Sequence, residues 1–263
     1  MNTRRRPYRV GLVVPSSNTT MEVEIPELLR RQQLASGQRF SVHATRLRLQ
    51  QVTPEALSRM NETADAAVDL LCDAQVDVIL YASLVAVMAG GRPCLLDTQE
   101  RLQARAASGG AHAPAVVSTA GALVTALKRL NAARIALIAP YRKALTDQVA
   151  ATLDACGIRV VQSRSLEVVD NVAVGRLDAA KLLSLAAQMD FSGSDALVIS
   201  ACVQMPSLDI VEEAELRLGL PVLSAATASV FALLKQLDIQ PAIAGAGELL
   251  RRGATVRAGA VFP

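Results

Sequence analysis

Apolar runs rich in Val and Ile recur near residues 9–14, 40–47, 77–82, 115–118, 134–139, 159–164, 196–201 and 221–224. Short runs without strict polar alternation are what strands buried on both faces of a parallel sheet look like. Between them lie longer Ala- and Leu-rich stretches with helical spacing. In Pro54–Ala74, residues Leu57, Met60, Ala64, Ala67, Val68 and Leu71 recur at intervals of three and four, which predicts one helix opening at Pro54–Glu55. Strand–helix alternation predicts an α/β chain with parallel sheets and right-handed crossovers.

The pattern repeats. Arg9-Val10-Gly11-Leu12-Val13-Val14-Pro15 returns as Arg134-Ile135-Ala136-Leu137-Ile138-Ala139-Pro140, an offset of 125 (134 − 9). The stretch Val78 to Leu84 returns as Leu197 to Val203, placing Ser83 on Cys202 at an offset of 119 (202 − 83). Val116-Val117-Ser118-Thr119-Ala120 returns as Val222-Leu223-Ser224-Ala225-Ala226, an offset of 106 (222 − 116). Three matches in one order predict two pseudo-symmetric, Rossmann-like halves of about four strands each, residues 1–128 and 129–263. The piece from Pro241 onward is the least regular and is expected to close, as helix and tail, over the other half.

Composition narrows the function. The 263 residues are 51% hydrophobic, 19% charged and 3% aromatic, with no Trp and a mean hydropathy of +0.31. Such a chain buries a sizeable core, and it lacks the aromatic platforms of base-stacking modules. A net charge of +3, dispersed along the chain, gives no phosphate-binding stripe, so no nucleic-acid partner is expected. No apolar run approaches the roughly 20 residues that span a bilayer. The stretch Val10–Val14 meets Pro15 too early to be a signal-peptide core, so a cytoplasmic protein is expected. Cys72, Cys94, Cys156 and Cys202 form no CxxC or Cys/His ligand pair, and no GxGxxG or GxxxxGK[ST] loop occurs, so neither a metal nor a nucleotide cofactor is implied.

In open parallel sheets, ligands bind beyond the carboxyl ends of the strands. That rule selects Ser16-Ser17-Asn18-Thr19-Thr20 after the first strand, Ser83-Leu84 after the third, Tyr141-Arg142 after the fifth and Cys202-Val203-Gln204 after the seventh. Cys202, at a strand end before a new helix, is the first candidate for chemistry. Ser83 taken alone would read as a helix cap, and its repeat partner raises it. Asn18 reads equally as a cap for the following helix. Tyr141 is one of three tyrosines, and Asn171 lies in a long segment before residue 178. Cys72 and Cys156 read as small buried hydrophobes.

VPSSNTTMEVEIP (14–26), YASLVAVMAGG (81–91) and LVISACVQMPSLDIVEEAE (197–215) resemble the maleate cis–trans isomerases of the Asp/Glu racemase superfamily. The resemblance runs from Tyr8 to about Leu237. It implies two pseudo-symmetric α/β halves with the active site at their interface, a small dicarboxylate substrate, no cofactor, and a homodimer. It also implies that Asn18, Ser17, Leu84, Tyr141, Asn171 and Val203 meet the substrate, and that Cys202 is a partner thiol handling a proton. In that family a first-half cysteine adds to an alkene carbon of maleate. The thioether rotates about a single bond and expels the thiolate to give fumarate.

That cysteine falls on Ser83. A serine hydroxyl needs a base beside it, and no His/Asp arrangement is evident in the sequence. Two explanations stay open: a Cys-to-Ser replacement that stops turnover, or a natural variant with altered chemistry. An arylmalonate-type decarboxylase using Cys202 alone, and a non-catalytic dicarboxylate binder, are the alternatives. A thiolate nucleophile further requires a thiol pKa lowered from about 8.5.

Overall fold

The computed structural model describes residues 6–109 and 112–251. Eight strands are present among them: β1 Tyr8–Pro15, β2 Phe40–Leu47, β3 Val78–Tyr81, β4 Ala115–Ser118, β5 Arg134–Ala139, β6 Arg159–Ser165, β7 Ala196–Ser200 and β8 Val222–Ser224. They form two parallel four-stranded sheets, ordered β2-β1-β3-β4 and β6-β5-β7-β8. The two orders are the same, as the repeat predicts. Central strands β3 and β7 are buried at every position, whereas β2 and β6 at one edge of each sheet are partly exposed. Each Val, Leu or Ile buried this way contributes about 1.5–3 kcal/mol.

The equivalence extends to hydrogen bonds. Ala82 N–H donates to the Val13 carbonyl at 2.8 Å, and Ala201 N–H donates to the Ile138 carbonyl at 3.0 Å. Ser83 and Cys202 therefore follow matched backbone positions at the ends of β3 and β7. The match is kept by an irregularity. In the sheet Ile79 lies opposite Gly11 while Leu197 lies opposite Ala136, one position earlier than the sequence repeat places them. A register shift between Val198 and Ser200 takes up the extra residue, so that Ser200 faces Ser224 as Tyr81 faces Ser118. Ser118 and Ser224 then cap equivalent helices, accepting from Gly121 N–H at 3.1 Å and Thr227 N–H at 3.2 Å. Those helices, Thr119–Arg129 and Ala225–Gln236, pack on each other across the halves, and the Ser229 hydroxyl donates to Thr119 Oγ1 at 3.1 Å.

Two expectations are corrected. Residues 54–74 are two helices, Pro54–Glu62 and Ala64–Asp73. Thr63 breaks them: its hydroxyl donates back to the Met60 carbonyl at 2.9 Å, competing with the continuing ladder. The segment after Gln236 does reach the other half, but through Gln240, Ala242 and Gly245 in irregular chain, and its described part holds one 3₁₀ turn, Glu248–Leu250, in place of a full helix. It is tied to helix Met21–Ser36 by buried Gln32, which donates to the Gln240 carbonyl at 3.0 Å and accepts from Ala242 N–H at 2.8 Å. Residues 252–263 of that piece lie outside the described residues. No helix among the described residues is long and apolar enough to cross a membrane.

Candidate active site

Two loops from opposite halves meet. One follows β1 and carries Ser17, Asn18 and Thr20. The other follows β7 and carries Cys202, Val203 and Gln204. Asn18 is fully buried and bonds through both ends of its amide, which leaves one Nδ2 hydrogen uncommitted. Its Oδ1 accepts from Met21 N–H at 3.1 Å, capping helix Met21–Ser36, and its Nδ2 donates to the Val203 carbonyl at 3.2 Å. The Thr20 hydroxyl donates to the Gln204 carbonyl at 2.7 Å. Gln204 Nε2 donates back to the Ser17 carbonyl at 3.0 Å and also to the Asn171 carbonyl. Asn171 Nδ2 donates to Ser17 Oγ at 2.5 Å, so Asn171 and Ser17 meet across the halves. Asn171 does not sit in irregular loop: it opens the one-turn helix Asn171–Val174, whose cap is Asp170.

Cys202 is 6% exposed. The chain after it does not enter a helix directly. It makes a turn, with Met205 N–H donating to the Cys202 carbonyl at 3.3 Å, and a 3₁₀ turn begins only at Leu208. Ser200 clamps that turn by donating to the carbonyls of Cys202 at 3.0 Å and Met205 at 2.9 Å. Without a helix N-terminus, the cysteine lacks the dipole that the sequence suggests. Burial pushes the Cys202 thiol up from its ordinary range. Hydrogen bonds from Tyr141 O–H and from the Gln204 and Met205 amides pull it part of the way back. The Gln204 amide lies 3.4 Å from Sγ. The net direction at Cys202 is upward, opposite to what a thiolate nucleophile requires and in keeping with a partner thiol. Tyr141 is buried above it, within hydrogen-bond reach of Sγ and 3.2 Å from the Ala201 carbonyl; burial and the thiol raise the phenol well above its usual range.

Ser83 is 2% exposed, with φ −140° and ψ 88°, immediately before the five-residue helix Leu84–Met88. Its side chain does not cap that helix, which answers the cap reading. Leu84 is fully buried as the helix's first residue. Neither histidine is placed to activate Ser83. His43 contacts Ser41 on edge strand β2, and His112 contacts the Val76 carbonyl before β3 begins, at the far end of the sheet. Among the described residues no group of three or more His, Cys, Asp or Glu side chains is placed to hold a metal ion. Cys72 and Cys156 lie at helix ends and are partly buried, as read from the sequence.

Tyr141 and Asn171 also line an open cleft of about 740 Å³, with Gln51 and Thr53 of the loop after β2, and with Arg142 and Leu145. Gln204, 3% exposed and joining Ser17, Asn171 and Cys202, falls in the stretch selected after the seventh strand but was given no role there. A glutamine at a strand end carries no signature of its own; its position directly after Cys202-Val203 is the signal that was there to use.

A family profile described as arylmalonate decarboxylase matches residues 10–250. The chain is 46% identical over 244 residues to a maleate isomerase of Geobacillus stearothermophilus, covering 92% of this chain and 97% of that protein. Its fold matches the crystal structure of the maleate isomerase Iso from Pseudomonas putida S16 with a TM-score of 0.92 and 42% identity, over 95% of this chain and all of that one. It also matches a cysteine-to-serine variant of the Nocardia farcinica maleate cis–trans isomerase with a covalently bound succinylcysteine intermediate. There the TM-score is 0.90 and the identity 47%, over 94% of this chain and 99% of that one. Sequence and fold agree, and the chain belongs to the maleate isomerases within the family described as arylmalonate decarboxylase.

Proposed function

We propose that this site binds maleate and is built for its cofactor-independent cis–trans isomerisation to fumarate, with position 83 as the site of addition and Cys202 as the proton carrier. The observation that carries the assignment of roles is the buried Cys202 with Tyr141 against it, opposite in the repeat to a residue that makes no cap. Addition of a thiolate to one alkene carbon of maleate forms a C–S bond and leaves a carbanion at the other. Sγ–H of Cys202 delivers a proton there, giving a succinyl thioether of the kind described for the Nocardia farcinica variant. The former double bond is now single and rotates. The Cys202 thiolate then takes a proton back, the C–S bond breaks, and fumarate leaves.

A dianion repels an anionic nucleophile, so both carboxylates need donors first. Asn18, Asn171, Ser17 and Tyr141 supply them, with the backbone around Leu84 and Val203. In this chain the addition step falls to Ser83, which has no base. The chain as it stands therefore binds maleate and isomerises it poorly. The test is fumarate formation from maleate by the chain and by Ser83→Cys. The reading carries with it two halves, 1–128 and 129–263, and a cytoplasmic homodimer, whose mass sedimentation measures.

One observation favours a second reading. Cys202 is the cysteine at the site and burial pushes its thiol up, which suits protonation of an enediolate after decarboxylation of an arylmalonate. Release of carbon dioxide from phenylmalonate by the unaltered chain, with maleate untouched, selects that reading.

A further inference from the structure

Glu24 is a carboxylate buried in the join between the halves, 7% exposed, and nothing in the proposed chemistry uses it. It lies on helix Met21–Ser36, one turn beyond the loop that holds Asn18 and Thr20. Its Oε1 accepts from Ser207 N–H at 2.7 Å and from Leu208 N–H at 2.8 Å, where the turn that begins at Cys202 ends. Asn18 and Thr20 grip the same turn at the carbonyls of Val203 and Gln204. The stretch 18–24 thus takes hold of residues 203–208 at both ends, by carbonyls at one and by amides at the other. Isolated buried carboxylates are costly unless hydrogen-bonded, and the two amides are what Glu24 is given.

We propose that Glu24 is a positioning residue that fixes the Cys202 turn of the second half against the first. This rests on the proposed role of Cys202, and its first readout does not depend on turnover. Both amides converge on one oxygen, so Glu24→Gln can keep both hydrogen bonds through Oε1. Glu24→Ala loses them, and Glu24→Asp withdraws the acceptor by one methylene.

The experiment is peptide-resolved alkylation by iodoacetamide across pH, in the full chain. Glu24→Ala is expected to raise the alkylation rate of Cys202 about tenfold and to move its pH midpoint, with Cys72 unchanged and Glu24→Gln within twofold of the parent. In a Ser83→Cys background, Glu24→Ala is expected to lower kcat for maleate about tenfold with KM changed less than threefold. Should Glu24→Ala fail to fold, Glu24→Asp carries the same expectations. A folded Glu24→Ala or Glu24→Asp protein whose Cys202 reacts like the parent's overturns the proposal, as does a Glu24→Gln protein altered as much as Glu24→Ala. If Ser83→Cys never turns maleate over, the assigned function fails, while the alkylation profile still decides for or against Glu24.

Discussion

The side chain of Asn18 joins the halves while capping a helix: Nδ2 donates to the Val203 carbonyl at 3.2 Å and Oδ1 accepts from Met21 N–H at 3.1 Å. Two outcomes follow for Asn18→Ala. Loss of the cap costs about 1 kcal/mol of stability. Loss of the amide at the join and toward a substrate carboxylate weakens maleate binding about tenfold to a hundredfold. Calorimetry and thermal melts measure the two separately. A lower Tm with unchanged Kd would return Asn18 to a plain cap.

Tyr141 pulls the Cys202 thiol down against burial. Tyr141→Phe keeps the ring and removes that hydrogen bond, so the Cys202 pKa rises further. The pH–rate curve for alkylation of Cys202 should move to higher pH in Tyr141→Phe. Movement to lower pH would show that the hydroxyl does not stabilise the thiolate.

Glu24 is held above the ordinary carboxylate range chiefly by burial, opposed by the Ser207 and Leu208 amides, with nearby Asp209 raising it further. A folded-state pKa above the unfolded one favours the folded protein at acid pH and loses that contribution as pH rises through the raised value. Glu24→Gln does not titrate. Its stability relative to the parent should therefore grow as pH rises from about 4.5, the carboxylate's ordinary value, through the raised folded one. Denaturant melts across that window check it, and a gap that shrinks with rising pH contradicts the shift.

Gln204 donates to the carbonyls of Ser17 and Asn171 from one amide nitrogen. Gln204→Leu keeps the volume and removes both. Asn171 then keeps its bond to Ser17 but loses the donor that holds its backbone carbonyl, and the KM for maleate in a Ser83→Cys background should rise about tenfold, the scale of one or two hydrogen bonds. An unchanged KM would make Gln204 only a packing residue.

Most of the fold was legible because its strands are buried on both faces and need continuous Val and Ile. Val78–Tyr81 and Ala196–Ser200 stand within a residue or two of their expected bounds. The break at Thr63 was hidden because its cause is a hydroxyl bonding back to Met60, while the apolar spacing runs on across it. The register shift at Ile199 was hidden because it leaves the sequence repeat intact and changes only the pairing. Ser17, Asn18, Tyr141, Asn171 and Cys202, which the structure brings near one another, were singled out by their place after strands or by resemblance. Gln204 was in the selected stretch but without a role, and Glu24 was not selected, because their importance comes from burial at the join, and a helical glutamate among charged neighbours reads as a solvated face. The raised Cys202 thiol was likewise invisible: it depends on burial, which a place at a strand end does not reveal.

The most direct measurement compares fumarate formation from maleate by the unaltered chain and by Ser83→Cys, followed by nuclear magnetic resonance, with maleate affinity measured for both. Restoring the thiol is expected to raise kcat by roughly a thousandfold or more, the scale of an essential nucleophile, with affinity nearly unchanged. A succinyl adduct should then be found at position 83 when Cys202 is also replaced. If the unaltered chain turns maleate over as fast as Ser83→Cys, position 83 is not the site of addition and Cys202 is the nucleophile.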